Sequence, residues 1–407
     1  MILIQCITDS HLDNIAACLR LQPERMIAVG RGASMEACIL RYQNLLRRRG
    51  LDTKITACDV QGKDFGDICL TLNGLLNEEA EYVIDVTGGD ETVMMAVGAV
   101  LAGMDRNARQ RIRAEKYDRS SGTVIDCIHD NQTVAQAPVN LTVAELIALH
   151  GGILRPGSYQ PPRACTPGDI AGLWNVVSQD PREWNRGIML LSEFESRSDS
   201  KTQVFLPLTR LRSGISNFDR KLEQVLDLLG KLQQAGVIED SGSRNNLEYT
   251  YTSPLLRYCT AKAGNVLEIK TLLEGRAAEE TGVPFFQDCQ MSVSIDWDGV
   301  IYDPAERIPE TRNEIDVVLI HGMTPLFISC KNGNIGEEEL YKLHTVAARF
   351  GGPHARKMLI ATDLDLKSPA ANRAFIQRAW DMDIFLVTDA AELSGEEWQQ
   401  IFVKAMQ

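Results

Sequence analysis

Within Asn313–Gly333, NEIDVVLIHGMTPLFISCKNG, a carboxylate enters one apolar run and an ammonium leaves the next. The runs are Ile315–Ile320 and Pro325–Ser329, and His321-Gly322-Met323-Thr324 between them has the length of a hairpin turn. Two strands joined so tightly predict that Asp316 and Lys331 meet at one end of a small sheet. Glu314 lies two before Asp316, on the same strand face, and two carboxylates there can share a hard divalent cation through oxygen. The plainer alternative for both acids is a charged, solvent-facing strand start. Phe327, Ser329 and Lys331 share a face of the second strand, and a serine hydroxyl is a poorer ligand for such an ion than a carboxylate. An acid from elsewhere is therefore expected. In VLEIKTLLEG the apolar helix face is Val266, Ile269, Leu272 and Leu273, which leaves Glu268 at its margin and within reach of the strand ends. Glu339 is a second candidate, although GEEEL reads more simply as an acidic first turn that complements the helix dipole.

A second feature lies near the other end. Tyr82–Thr92, YVIDVTGGDET, is an apolar strand running into Thr87, Gly88 and Gly89. Glycines directly after a strand let the backbone approach a ligand closely, and the next helix start offers free N–H groups to an anion. Around this turn, strands are expected at Met1–Thr8, Arg25–Gly30 and Asp52–Cys58, with helices at Asp9–Leu21 and Ser34–Gly50. That alternation implies a doubly wound parallel sheet that binds ligands at its carboxyl edge. Asp90 follows the glycines. Thr8, Asp9 and Ser10 occupy the first strand-to-helix turn of the same edge, where Asp9 or Ser10 reads equally as a plain helix cap. The turn Gly30-Arg31-Gly32 can add a cation for a ligand phosphate.

Together these parts resemble the CARF-domain nucleases of type III CRISPR systems, in which an N-terminal CARF sensor is fused to a C-terminal PD-(D/E)xK-like nuclease. The strand–TGG turn and the FISCK segment anchor the resemblance, which covers most of the chain. It implies a Rossmann-like CARF domain and a restriction-endonuclease-like domain. It also implies a homodimer that binds a cyclic oligoadenylate, usually cyclic tetra-adenylate, and then cleaves DNA or RNA with Mn2+ or Mg2+. By that resemblance Asp316 binds the metal, Glu268 is the helical glutamate, and Lys331 orients the water or stabilises charge on the phosphorane. The acid usual two before the lysine is Ser329 here. After TGG, where the family has a small or polar residue and then lysine, this chain has Asp90-Glu91. The rival readings are a ligand-responsive binding protein with a degenerate nuclease fold, and a ring nuclease whose N-terminal domain degrades the cyclic nucleotide, with Ser10 as the residue to test.

The chain as a whole is consistent with an α/β protein of several domains. Its 407 residues, 44% hydrophobic and 24% charged, are ordinary for a globular protein. The divisions expected are a sensor at 1–150, a linker at 151–182 rich in Gly and Pro, a winged-helix-like helix and hairpin connector at 183–260, and the nuclease-like domain at 261–407. Neither a signal peptide nor a membrane span is visible. Ten scattered cysteines without a CxxC pair exclude a zinc ribbon and point to a reducing cytoplasm. The net charge of −13 argues against a passive nucleic-acid binder, while allowing locally basic surfaces. The basic runs at Arg47–Arg49 and Arg106–Arg119 read as solvated helix faces. There is no HExxH, GxSxG or Walker A sequence, so zincin, serine-hydrolase and P-loop chemistries lack support.

Overall fold

The computed structural model describes residues 1–407 apart from 9–11, 78, 120, 129–131, 137, 156–158, 199, 201, 241, 243–244, 298, 300–311, 334 and 365–367. The fold is mixed α/β, with one largely parallel sheet, one mixed sheet and a small antiparallel sheet between them in sequence.

The first sheet has seven strands: β1 (Ile2–Cys6), β2 (Arg25–Gly30), β3 (Lys54–Asp59), β4 (Tyr82–Asp85), β5 (Ile112–Asp118), β6 (Thr123–Asp126) and β7 (Gln132–Gln136). Their order is β3-β2-β1-β4-β5-β6-β7. The first five run parallel, and β6 and β7 close one edge antiparallel. Alternation sorts the side chains. Ile2, Ile4 and Cys6 pack on helices Phe65–Leu75 and Glu91–Gly103. Leu3 and Ile7 face helices Ile15–Leu21, Gly32–Arg48 and Val143–Leu149. Strand β5 corrects the reading of Arg106–Arg119 as one solvated helix face. Only Arg106–Arg109 is helical, and IRAEKYD pairs with β4. Its charged residues masked the strand because Glu115 is buried against Arg20 rather than solvated.

The segment expected as linker also carries structure. Strand β8 (Ile153–Arg155) pairs antiparallel with a strand of the C-terminal sheet, and helix Ala171–Gln179 follows. Three residues are too few for a periodic signal, so this strand is defined by its partner. Next come helix Pro181–Glu195, β9 (Gln203–Pro207), helix Phe218–Gln234, β10 (Ile238–Asp240) and β11 (Asn246–Tyr251), the strands in order β10-β11-β9. The hairpin expected after the long helix is present, with β9 as an additional third strand. Glu195 is buried beneath it and accepts hydrogen bonds from Tyr249 and Tyr251 at 2.7 and 2.6 Å, while Arg257 pairs with its other oxygen at 2.9 Å.

After helices Pro254–Ala261 and Asn265–Ala277, a two-residue pair β12 (Glu279–Glu280) and β13 (Val283–Pro284) leads into the last sheet. This contains β14 (Asp288–Asp296), β15 (Arg312–His321), β16 (Thr324–Lys331), β17 (Arg356–Ala361) and β18 (Phe385–Val387), in the order β18-β17-β16-β15-β14-β8. Helices Asn265–Ala277 and Gly395–Met406 pack on one face, and Glu337–Gly351 and Val143–Leu149 on the other. Val143–Leu149 therefore serves both sheets and joins their cores. Gly322, at φ +62°, supplies the left-handed residue that the tight β15–β16 turn needs.

No helix among the described residues is long and apolar enough to cross a membrane. Replacing Glu195 by alanine removes the buried acceptor of both tyrosine hydroxyls and an ion-pair partner of Arg257, so Glu195→Ala should cost about 3 kcal/mol. The check is the midpoint of chemical unfolding followed by the fluorescence of Trp174 and Trp184, whose side chains lie in the same core.

Candidate functional site

The two chemistry-bearing regions of the sequence both lie at strand ends. In the C-terminal sheet, Asp316 lies on β15 and Lys331 ends β16, as the hairpin spacing predicts. Lys331 Nζ stands 3.6 Å from Asp316 Oδ2 and 3.1 Å from Glu339 Oε2. Burial would lower the lysine, but Asp316 and Glu339 outweigh it and hold the ammonium above its ordinary value. Burial likewise opposes ionisation of Glu339, and hydrogen bonds from Lys342 and Lys331 overcome it, holding the carboxyl below its ordinary value. The acidic first turn of helix Glu337–Gly351 is thus more than a dipole complement, because one of its residues is drawn into the site.

Ser329 does not replace the expected acid. Its hydroxyl is turned onto Asp316 Oδ2 at 3.2 Å, and the Cys330 amide donates to the same oxygen at 2.6 Å. These contacts fix Asp316 and leave Oδ1 without a partner among the described residues. Glu268, on the inner turn of helix Asn265–Ala277, has no hydrogen bond to its carboxylate among the described residues. Burial first, and then the charges of Asp316 and Glu314, push it up to about 8. Glu314 is exposed on the same strand as Asp316. Three carboxylates thus share one field, with one kept from ionising by the others and by burial.

Among the described residues, no three His, Cys, Asp or Glu side chains have the spacing of a formed metal cage. The donor chemistry nevertheless fits Mg2+ or Mn2+. Such ions commonly take one or two protein carboxylates and keep several waters, and a cation would favour the ionised form of Glu268, which burial first and the charges of Asp316 and Glu314 second oppose. The loop after Lys331 is braced by the middle segment, since Asn185 Nδ2 donates to the Asn332 carbonyl at 2.7 Å and Asn332 Nδ2 to that of Ala263 at 3.0 Å.

At the carboxyl edge of the first sheet, adjacent strands β2, β1 and β4 bring together Gly30, Arg31, Thr8, Thr87, Gly88, Gly89 and Asp90. Asp9 and Ser10 lie outside the described residues. Gly89 is required by close approach: a Cβ there would lie 2.5 Å from Cys6 Cβ and 2.8 Å from the Cys6 carbonyl oxygen. Thr87 is turned inward, donating its hydroxyl to Asp85 and accepting from the Tyr117 amide at 2.9 Å. The turn accordingly presents backbone rather than that hydroxyl. Asp85 is fully buried, which pushes its carboxyl up to about 6 despite bonds from Thr87 and Gln5.

Asp90 caps helix Glu91–Gly103 through the amides of Thr92 and Val93 and pairs with Arg31 at 2.9 Å. The hydrogen bond from Arg31 is the largest cause of its lowered pKa, offset in part by burial and reinforced by the cap amides. The acid after the glycines is therefore neutralised locally, and so is the cation after β2. Nothing in the linear order of residues links Arg31 to Asp90, which meet only because β1 lies between β2 and β4.

No known family model matches the sequence, and no curated protein matches it. Solved structures do share its fold. VC1899 from Vibrio cholerae aligns over 100% of this chain and 97% of its own, at a TM-score of 0.72 and 17% identity. Can2 from Sulfobacillus thermosulfidooxidans, solved in complex with cyclic tetra-adenylate, aligns over 100% and 97% at a TM-score of 0.66 and 16% identity. Both likenesses run end to end, and at these identities what they establish is a common fold.

The Glu268 carboxyl yields a signed pH dependence. Its folded pKa lies above its unfolded value, so its contribution to stability is greatest in acid and is lost as pH rises from 4.5 through about 8. With a chelator present, the Tm of the wild type should fall over that interval more steeply than that of Glu268→Gln. Parallel Tm profiles for the two proteins would show that the carboxyl does not titrate as described.

Proposed function

We propose that this chain is a metal-dependent nuclease of DNA or RNA, switched on by a cyclic oligoadenylate and acting as a homodimer. Residues 1–150 form the CARF-like sensor in this reading, and 261–407 the PD-(D/E)xK-like nuclease, with 183–260 as a winged-helix-like connector. The observation that carries it is the placement of Lys331 between Asp316 and Glu339 at a strand end, near Glu268. End-to-end likeness in fold to a protein solved with cyclic tetra-adenylate supports that molecule as the first ligand to try.

In the reaction, a bound Mn2+ or Mg2+ supplies positive charge to the phosphate and acidifies water. Asp316 would be the residue to hold the ion, with its Oδ2 already engaged by Ser329 and Cys330. Glu268 and Glu314 are the further carboxylates. Lys331 donates to charge developing on the phosphodiester. Glu339 keeps that lysine charged and aimed, supplying the acid that Ser329 cannot. In the sensor, the backbone of Thr87–Gly89 faces the ligand, and the Arg31 pair keeps the charge of Asp90 from opposing it.

A second reading, a ligand-responsive binding protein, is favoured by one observation, the serine at 329. On its suggested DNA contact through the middle segment, helix Phe218–Gln234 exposes Asp219, Glu223 and Asp227 together with Arg220.

Cleavage of plasmid, single-stranded DNA and RNA with Mn2+ or Mg2+, with and without cyclic tetra-adenylate, separates the readings. Ligand-dependent cleavage is expected, reduced about 100-fold or more by Lys331→Ala and also weakened by Glu339→Gln. No cleavage of any substrate, or equal cleavage by Lys331→Ala, would favour the binding protein.

A further inference from the structure

The geometry points to Arg119 as the positioning residue that transmits the state of the ligand edge to the hairpin bearing Asp316 and Lys331. This inference rests on the function proposed above and adds the route by which one site acts on the other.

Arg119 follows β5, and its side chain is 10% exposed. It makes three contacts in two directions. One terminal nitrogen donates to Asp13 Oδ1 at 2.7 Å, Nε donates to Thr324 Oγ1 at 3.1 Å, and the other terminal nitrogen donates to the Met323 carbonyl. Asp13 lies in the first helical turn, Leu12–Asn14, after β1 and also stands 3.2 Å from His354 Nε2. Met323 and Thr324 form the turn and the first residue of β16.

The second ligand-edge turn reaches the same place. Thr87 accepts from the Tyr117 amide, two residues before Arg119 on β5, and Tyr117 Oη accepts from the Val139 amide. The Leu141 amide in turn donates to the Gly322 carbonyl in the hairpin turn at 2.9 Å. Both loops of the first sheet thereby converge on one end of the β15–β16 hairpin.

That hairpin can carry a displacement. Its ladder runs from His321↔Thr324 to Val317↔Ile328, and its strands are sealed between helices. Lys331 stands seven residues beyond Thr324, roughly 23 Å along a strand. The Arg119 junction is less densely packed. It borders a cavity of about 760 Å3 lined by Thr87, Tyr117, Arg119, His321, Thr324 and His354 among others. A guanidinium presents its donors in one rigid plane, so Asp13 and the hairpin turn cannot shift independently while both remain bonded to it. Lysine, with a single flexible ammonium, cannot impose that constraint.

Coupling of this kind is reciprocal: if ligand strengthens metal binding, metal strengthens ligand binding by the same factor. The test uses the full-length wild type, Arg119→Lys and Thr324→Val. The affinity for cyclic tetra-adenylate is measured with and without Mn2+, alongside the ratio of ligand-stimulated to unstimulated cleavage and the Tm of each protein. In the wild type, Mn2+ should tighten ligand binding about 5-fold or more. In both variants that factor should fall towards one and the stimulation ratio should collapse, while unstimulated cleavage is retained. Thr324→Val removes one acceptor at nearly constant volume and so guards against loss of fold in the arginine variant. A factor and ratio unchanged in both variants would reduce Arg119 to a structural clasp, even if Tm falls, and would overturn this inference alone. A wild type that shows neither ligand-stimulated cleavage nor metal-linked binding would overturn the proposed function and this inference with it.

Discussion

Strands β15 and β16 are covered by helices on both faces, and this constraint organises the C-terminal half. Six consecutive residues of β16, Pro325–Cys330, are buried. A strand sealed in this way cannot place a charge mid-length without large desolvation costs. Its ionisable residues must gather where the strand emerges, and at that end Asp316 and Lys331 meet Glu268 and Glu339. The other end is the Gly322 turn, and it too is occupied, by Arg119 and the Leu141 amide. One sealed hairpin thus has chemistry at one end and contact with the first sheet at the other.

Electrostatics within the site follow from the same burial. Four carboxylates near one ammonium would repel strongly if all were ionised. The arrangement avoids this by giving each a different environment. Asp316 is fixed by Ser329 and Cys330, Glu339 is paired with two lysines, Glu314 is solvated, and Glu268 is half-buried and raised to about 8. Serine at 329 belongs to this balance, since a further acid there would face Asp316 directly. A total charge of −13 says little about such a site, whose behaviour depends on which acids are screened and which are not.

The carboxyl edge of the first sheet follows a similar economy. Asp90, an unwelcome neighbour for an anion when read in sequence, is consumed by a helix cap and by Arg31. Thr87, apparently an exposed hydroxyl before two glycines, is committed inward to Asp85 and Tyr117. What this turn leaves unengaged is mostly main chain, held close to β1 because Gly89 has no side chain to keep it away.

Much of this was legible residue by residue. The hairpin and the strand ahead of the TGG turn carry their own periodicity and turn residues, and their observed ends lie within a few residues of those read from the sequence. Local patterns of that kind are set by which faces of a short segment are apolar, and the segment itself records them. Strand β5 was hidden because it is rich in charged residues, of which Glu115 is buried against Arg20, far away in the chain. Strand β8 was hidden because three residues take their conformation from β14, a partner roughly 140 positions on. The pairings of Arg31 with Asp90, Lys331 with Glu339 and Arg119 with Thr324 were equally invisible. Each depends on the order of strands in a sheet or the docking of one sheet and its helices on another, and such distances are created only when the chain closes on itself.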